Sequence, residues 1–398
     1  MKRYNVEITP SRLSGSIEAI PSKSYAHRIL LSAALADRPT EVRIPRLSKD
    51  ILATIEAIKG LGCSVKQNKL GDVFTVTPIC RTSLPDECLI HCSESGTTSR
   101  LILPIAAAIY DKATVSGEGS LLSRPFDELC RVMEEHGASL SSDRLPITAK
   151  GRLKSGDYRI KGNVSSQYIS ALLMALPLLP EKSRIVLTEP LSSAGYVDMT
   201  RKVLSTFGVN IEPSLEIEPQ RYVSPGYVEV EGDASNAAFF LAAGVKVTGI
   251  PEDTLQRDAV FSSVCDKSVI DIDQFPDLAP ILAVYACMKT GRTEICGIER
   301  LRIKESDRVE SIRALITSLG GEVEVLDNSI VITGTGRLSG GTVNSFNDHR
   351  IVMAAAIAST VCDGTVTVVG AEAVEKSYPE FFEDFNRLGG HANVKFVR

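Results

Sequence analysis

The sequence predicts an α/β protein made of a row of similar units packed into two domains, and three observations predict it. First, a short polar signature runs into an Ala-rich apolar helix six times: SKSYAHRILLSAALA from Ser22, SGTTSRLILPIAA from Ser95, SSQYISALLMA from Ser165, SNAAFFLAA from Ser235, PDLAPILAVYA from Pro276 and NDHRIVMAAAIAS from Asn347. Second, these starts lie 73, 70, 70, 41 and 71 residues apart, a repeat with one shortened unit. Third, an amphipathic segment and a β-rich run recur behind the first helix.

Each element of the unit has its own warrant. The first helix is apolar almost all round and is expected to be buried, whereas the second carries charge on one side and is expected to face solvent. IEAIKGLGCSV, DELCRVMEEHGASL, TRKVLSTFGVNI, VESIRALITSLGGEVEV and EFFEDFNRLGGHANV place apolar residues at helical spacing, then Gly where a helix stops in left-handed geometry. The unit therefore reads strand, helix, strand, helix, strands. No unit buries its first helix alone, so the units pack together with those helices inside. The fourth unit is the exception: QRDAVFSSVCDKSVIDID must do the work of a full helix and two strands. Its expected form is one strand within residues 265–273 and an abbreviated helix.

A chain of 398 residues exceeds a single hydrophobic core. Pro and polar residues thicken at EIEPQRYVSPGYVEVEGDAS. If the strand in MKRYNVEITP pairs with the C-terminal half, the chain crosses between domains twice, near residues 11–21 and 222–233. The expected domains are then 21–231, and 1–20 with 232–398. Two crossings at one waist make a hinge, and a hinge between two anion-binding faces makes a closing cleft.

At 43% hydrophobic and 23% charged, the chain has ordinary globular composition. A formal net charge of -5 does not suit a nucleic-acid coat or a membrane-surface protein, and basic clusters on an acidic background suit capture of a small anion. The first residues lack the apolar core of a secretory signal. The longest apolar stretch, ISALLMALPLLP, is interrupted by Pro177 and is too short to span a bilayer. A cytoplasmic enzyme is expected. Nine scattered cysteines point to free thiols in a reducing compartment. Cys88 and Cys92 in CLIHC have no second pair at zinc-like spacing, so no metal is expected.

The candidate chemistry begins at the helix starts. Ser22, Ser95, Ser165 and Asn347 are N-cap residue types, and Lys23, Arg28, Arg100 and Arg350 follow within a few residues. Gathered together, such helix ends and cations form a site for a ligand with more than one phosphate or carboxylate. In LRIKESDR, Lys304, Glu305 and Arg308 are expected at a helix start, Lys304 and Arg308 on one face. Two readings stay open for it: a solvated helix start stitched by ion pairs, or a proton-transfer role for Glu305 tuned by two cations. NDHR supplies His349, an acid, a base or simply a hydrogen-bond donor, and Arg350, whose planar fork matches a carboxylate or phosphate. SRP sets Arg124 at a helix start, PDLAP sets Asp277 in a first helical turn as cap or base, and EKSYPEFF sets Lys376 at the last helix start.

Taken together, PSKSYAHR, ESGTTSR, GEGSLLSRP, SSQ, LSSAGY, PDLAP, LRIKESDR, NDHR and EKSYPEFF resemble the 5-enolpyruvylshikimate-3-phosphate (EPSP) synthase family, in order and over essentially the full length. The resemblance implies two domains of three βαβαββ units each, an inside-out α/β barrel arrangement closing on a cleft. It implies transfer of the enolpyruvyl group of phosphoenolpyruvate to the 5-hydroxyl of shikimate 3-phosphate through a tetrahedral ketal, with release of phosphate and without metal or organic cofactor. By the family pattern, Lys23, Ser24, Arg28, Ser165, Ser166, Gln167, Ser193, Asp277 and Lys304 meet shikimate 3-phosphate. Lys23, Gly96, Arg124, Gln167, Arg308, Arg350 and Lys376 meet phosphoenolpyruvate, and Thr97 and Tyr196 join the substrate-binding set. Glu305 donates the proton to the methylene carbon and Asp277 accepts the hydroxyl proton, Lys23 and His349 completing the catalytic set. The implied partners are these two small molecules, with no nucleic acid or membrane, and a monomer is expected.

Two positions depart from the pattern. Glu94 stands where many members carry Asn, and Arg300 stands where some have an Asn that touches the sugar phosphate, so no binding role passes to Arg300. The rival within the fold is the enolpyruvyl transferase family acting on UDP-N-acetylglucosamine, which typically has Lys-Asn in place of Lys23-Ser24 and often a Cys in the loop read here as GEGSLLS. An RNA-end-modifying relative needs a basic surface and a nucleotide-transfer histidine that the sequence does not display. A non-catalytic phosphometabolite binder would not need Glu305, Asp277, Lys23 and Arg124 together.

Overall fold

A computed structural model describes residues 3–397. The chain falls into two compact units, Pro21–Glu231, and Met1–Ile20 with Gly232–Arg398, and each unit has its own hydrophobic core.

Twelve α-helices occur among the described residues. In the Pro21–Glu231 unit they are α1 (Lys23–Leu35), α2 (Lys49–Gly60), α3 (Gly96–Ile109), α4 (Asp127–Glu135), α5 (Ser166–Ala175) and α6 (Ala194–Thr206). The other unit holds α7 (Ala234–Ala242), α8 (Phe261–Val264), α9 (Ala279–Met288), α10 (Arg308–Ser318), α11 (His349–Ala358) and α12 (Phe381–Arg387). Helices α1, α3, α5, α7, α9 and α11 are the Ala-rich ones, and each is buried over nearly its whole length. Small Ala side chains let these helices approach closely while each buried Ile or Leu contributes about 1.5–3 kcal/mol. The expected glycine stops are present: Gly62, Gly137, Gly208, Gly320 and Gly389, just past α2, α4, α6, α10 and α12, all have positive φ. After the strand Lys246–Thr248, the fourth unit has, among the described residues, the 3-10 turn Arg257–Val260, the four-residue α8 and the short strand Val269–Asp271.

Six sheets accompany these helices, and their pairings show how the chain crosses between units. In the sheet Cys88–His91, Lys112–Ser116, Ile147–Lys150, Ser139–Leu140, the first pair is parallel, bridged by buried α3, and the other pairings are antiparallel. The sheet Val269–Asp271, Thr290–Cys296, Ser329–Thr335, Glu322–Val325 repeats this order around α9. The last sheet follows it too, but its third member is the N-terminal strand Tyr4–Thr9, set between Val366–Val369 and His391–Phe396, with Gly341–Asn344 on the outside. The two strands that lead into α1 and α7 are exchanged. Ser16–Glu18, ahead of α1, pairs with Lys246–Thr248, while Tyr227–Glu229, ahead of α7, pairs with Thr40–Arg43. The sheet of Thr40–Arg43 is completed by Val73–Thr77 and Ser64–Gln67, and that of Asp157–Lys161 by Ser183–Glu189 and Glu216–Ile217.

Several helix starts differ from the sequence reading. Asn347 is not the cap of α11: it sits at φ +57, and Asp348 caps instead, its carboxylate accepting from the Arg350 N–H. Asp is an equally good cap and leaves Asn347 for a left-handed turn that Asn tolerates. Helix α7 is capped by Asp233, so Ser235 lies within its first turn. Helix α10 begins at Arg308 behind the cap Asp307, and Lys304 and Glu305 lie in the preceding bend, so Lys304 and Arg308 do not share a helical face. Arg124 closes a 3-10 turn, Gly119–Ser123, two residues ahead of the Phe126 cap of α4. Lys376 ends the 3-10 turn Ala371–Lys376, ahead of α12. Ser22 stands at the cap of α1 without a side-chain capping bond.

Candidate active site

In the Pro21–Glu231 unit, the starts of α1, α3 and α5 carry one set of candidate residues. Lys23 donates to Oδ2 of Asp50, in the first turn of α2, at 2.9 Å. Ser95 and Ser165 cap their helices by accepting from the N–H groups of Thr98 and Gln167. Gln167 is a bridge, accepting from Nη1 of Arg100 at 2.8 Å and donating to Oγ1 of Thr97 at 2.9 Å. Ser166 is buried behind it. The Arg100 guanidinium is flanked by the rings of Phe126 and Tyr168 at 5.4 and 5.6 Å. The Arg124 N–H donates to the Leu121 carbonyl, but its side chain makes no hydrogen bond or ion pair to the described residues, and its Nε is buried. Gly96 has a physical reason: a Cβ there would lie 2.5 Å from Nη1 of Arg124. The backbone at the start of α3 thus approaches a guanidinium with free donors, an arrangement suited to an anion.

Arg28, one turn further along α1, is only 1% exposed. Its Nε donates to Oγ1 of Thr200 at 2.7 Å, and Nη1 to the Ser24 carbonyl at 2.8 Å. Nη2 reaches the Ser170 hydroxyl at 3.3 Å and the Tyr196 carbonyl at 3.4 Å, and the Tyr196 ring lies 5.8 Å from the guanidinium. Ser193 stands at the N-cap position of α6 with a left-handed φ of +53 and no side-chain capping bond. Burial outweighs every other influence on Arg28 and pushes its pKa down to about 10. A nearby anion would reverse that penalty.

The other unit gathers a second set around one guanidinium. Arg308, 1% exposed at the start of α10, donates from Nε to Oδ2 of Asp348 at 2.8 Å, from Nη1 to Oδ1 of Asp277 at 2.8 Å and from Nη2 to Oε2 of Glu305 at 2.6 Å. Asp277, in the 3-10 turn Pro276–Leu278 ahead of α9, also meets Nη2 of Arg350 at 3.1 Å and Nζ of Lys304 at 3.5 Å. Burial alone would push the Asp277 carboxyl up, but Arg350, Lys304 and Arg308 together hold it well below the usual carboxylate range. Burial lowers Lys304, partly offset by Asp277. The carboxylates Asp348, Glu305 and Asp277 outweigh burial at Arg308 and drive it further up. His349 is buried with Nδ1 3.9 Å from Oδ1 of Asp348. Lys376 donates to the carbonyl of Asn347 at 3.0 Å, bracing the left-handed turn before α11.

The structure therefore brings Asp277, Lys304, Glu305, Arg308 and Arg350 into one charge cluster and leaves His349 and Lys376 beside it. Arg300 donates to Oδ1 of Asp273 at 2.9 Å, and Asp273 occupies it. Sequence reasoning missed three carboxylates. Asp50 holds Lys23, and Asp348 holds Arg308 while capping α11; the D of NDHR was the available signal for the latter. Asp258, from the shortened fourth unit, is buried and accepts from the Ser235 hydroxyl. Gln256, two residues earlier, accepts from the N–H of Ala234 at 3.0 Å and donates to the carbonyl of Gly232 at 2.7 Å. The start of α7 is thus filled by the chain's own polar groups, unlike the anion-seeking ends first expected of these helices. Burial, then the charge of Asp277, pushes the Asp258 carboxyl up to about 6.

Cys88 and Cys92 are buried, and burial raises both thiols. No group of three or more metal-ligating side chains occurs among the described residues.

Comparisons with known proteins agree in one direction. The family model described as EPSP synthase (3-phosphoshikimate 1-carboxyvinyltransferase) matches residues 8–265 and 243–385. The chain is 38% identical to the 3-phosphoshikimate 1-carboxyvinyltransferase of Clostridium novyi, covering 97% of this chain and 98% of that protein. It is 37% identical to that of Clostridium kluyveri, covering 97% of each. An EPSP synthase structure from Acinetobacter baumannii shares the fold with a TM-score of 0.81, at 23% identity, over 98% of this chain and 100% of that one. The matches span both units and every site segment named above, and the chain belongs to the EPSP synthase family.

Proposed function

We propose that this chain transfers the enolpyruvyl group of phosphoenolpyruvate to the 5-hydroxyl of shikimate 3-phosphate; its relatives are named 3-phosphoshikimate 1-carboxyvinyltransferase. The observation that carries the reading is the pair of carboxylates, Glu305 and Asp277, held on the single guanidinium of Arg308. In this reading Glu305 gives its proton to the methylene carbon of phosphoenolpyruvate, C2 becomes electrophilic, and the sugar hydroxyl adds to it. Asp277 takes the hydroxyl proton. The resulting ketal loses phosphate as a methyl proton returns to a carboxylate, which restores the double bond.

The electrostatics supply a reason for order in these events. Asp277 starts as a weak base because Arg350, Lys304 and Arg308 surround it. Anionic substrates that draw Lys304 and Arg350 onto their own oxygens relieve that stabilisation and raise the basicity of Asp277 when it is needed. Arg308 stays fixed and orients both carboxylates. Lys23, Ser24, Arg28, Ser165, Ser166, Gln167, Ser193, Tyr196, Asp277 and Lys304 hold shikimate 3-phosphate in this proposal. Lys23, Gly96, Thr97, Arg124, Gln167, Arg308, Arg350 and Lys376 hold phosphoenolpyruvate, and His349 supports the start of α11. The reaction requires both sets to act on the same pair of substrates. No organic cofactor is called for. We read the enzyme as a cytoplasmic monomer, a setting compatible with nine unbridged thiols; no described helix is long and apolar enough to cross a membrane.

The test is phosphate release from purified protein given phosphoenolpyruvate with either shikimate 3-phosphate or UDP-N-acetylglucosamine as acceptor, beside a Glu305→Gln control. Release with the shikimate acceptor alone, lost in the control, is expected. Release only with the nucleotide sugar, or undiminished in the control, contradicts the proposal.

A further inference from the structure

Where helices α1, α2 and α3 meet lies a chain of four buried polar side chains. Ser95 is 1% exposed, and Thr98, Thr54 and His27 are fully buried. Their contacts are short and consecutive. Oγ of Ser95 lies 2.7 Å from Oγ1 of Thr98, which lies 2.6 Å from Oγ1 of Thr54, which lies 2.5 Å from Nδ1 of His27. Thr54 also reaches the carbonyl of Asp50 at 3.2 Å, one turn back in α2.

The proton order follows from counting donors. Thr54 has one hydroxyl proton, and the Asp50 carbonyl can only accept it. Thr98 and His27 Nδ1–H then donate to Thr54, and Ser95 donates to Thr98 while accepting from the Thr98 N–H. Nε2 of His27 is buried without a hydrogen-bond partner among the described residues, and burial, with Lys23 and Arg28 adding to it, keeps the ring neutral. Buried polar groups are costly unless paired, and these are paired with one another. Thr54 and Thr98 each touch groups from all three helices, but Thr98 meets Nδ1 of His27 only at 3.4 Å, whereas Thr54 lies 2.5 Å from it and 2.6 Å from Thr98, so Thr54 is the hub.

What those helices carry makes the hub consequential. Four residues before Thr54, on the same face of α2, Asp50 holds Nζ of Lys23 at 2.9 Å. At the other end, Ser95 and Thr98 flank Gly96, whose backbone lies under Arg124. The hydroxyl chain thus fixes the separation between the Lys23 ammonium and the Gly96 turn.

We propose that Thr54 is a positioning residue for phosphoenolpyruvate, setting the register of Lys23 against the Gly96–Arg124 turn without touching substrate. The proposal rests on the assignment of Lys23, Gly96 and Arg124 to that substrate. An apolar pin of the same shape would hold the helices together equally well, but it would not fix the direction of each bond. The test compares Thr54→Val, which keeps the volume and removes the hydroxyl, with Thr54→Ser, which keeps the hydroxyl. Thr54→Val is expected to raise KM for phosphoenolpyruvate about tenfold, the loss of roughly one hydrogen bond's worth of binding, with kcat changed less than about threefold. Thr54→Ser is expected to stay within about twofold of the parent. If Thr54→Val does not fold, the double variant His27→Leu/Thr54→Val removes two mutually dependent polar groups and carries the same expectation. An unchanged KM in the folded variant, or an equal defect in Thr54→Ser, overturns the proposal. Absence of shikimate-dependent turnover in the parent overturns the functional reading instead, and this proposal with it.

Discussion

Arg28 in one unit and Arg308 in the other are the most deeply buried arginines among the described residues, and the two are treated in opposite ways. Arg28 is surrounded by the hydroxyls of Thr200 and Ser170 and the carbonyls of Ser24 and Tyr196, and burial pushes its pKa down to about 10. Arg308 is clamped by Asp348, Asp277 and Glu305 and is pushed further up. A buried cation held by neutral dipoles gains from the arrival of an anion; a cation already paired with three carboxylates gains little, and instead fixes where those carboxylates point. In the proposed reading, the contrast gives Arg28 a part in anion capture and makes Arg308 the anchor of the proton-handling carboxylates.

The largest effect should come from the proton-handling set. Glu305→Gln and Asp277→Asn remove a proton donor and acceptor with little change of shape, and each should lower kcat by about 10²–10⁴-fold. Steady-state phosphate release checks this. A loss confined to KM would break this contrast. Next, Arg308→Met leaves the buried Asp348 carboxylate without its counter-charge and should cost about 3–5 kcal/mol, whereas Arg28→Met strands only neutral groups and should cost about 1–3 kcal/mol. Urea denaturation midpoints of the two variants give the ranking, and equal losses would remove the distinction.

The carboxylates Asp258 and Asp277 sharpen the comparison through pH. The folded state holds Asp277 below the ordinary range, so its contribution to stability is present above the unfolded-state pKa of about 3.9 and is lost as pH falls further. Asp258 runs the other way: with its pKa pushed up to about 6, its contribution is present at low pH and is lost as pH rises to that value. Asp258→Asn should therefore remove a decline in stability between about pH 4 and 6 and leave no added slope above about pH 7. Denaturation measured across that range checks the sign, and a wild-type slope in the variant would contradict it. The smallest effect is expected from Gly96→Ala, whose Cβ must displace the Arg124 guanidinium from 2.5 Å. A several-fold rise in KM for phosphoenolpyruvate with kcat preserved is the expected kinetic result.

The repeat, the buried first helices and the glycine stops were legible in the sequence because each follows from local rules: apolar periodicity, and the freedom of Gly at positive φ. The exchange of Ser16–Glu18 with Tyr227–Glu229 was not legible, since strand partners are chosen by contacts far apart in sequence, Glu41 with Tyr227 and Ser16 with Lys246. Lys304 and Glu305 were misplaced onto α10 because Asp307, an excellent cap, sat inside a motif read as one helical start. Candidate cations stood out by type and position, but their partners did not. Asp348 was hidden as the middle of NDHR, and Asp258 lay in the segment that looked like a damaged unit, yet its turn is clipped to the start of α7 by Gln256 and Ser235.

The division between capture and proton handling is tested most directly by calorimetric titration of shikimate 3-phosphate into Arg28→Gln and Asp277→Asn. The account predicts at least about tenfold weaker binding in Arg28→Gln, from the loss of charged hydrogen bonds worth about 1.5–3 kcal/mol. Asp277→Asn should bind within a few-fold of the parent while failing to turn over. Full affinity in Arg28→Gln, with binding lost in Asp277→Asn, would contradict it.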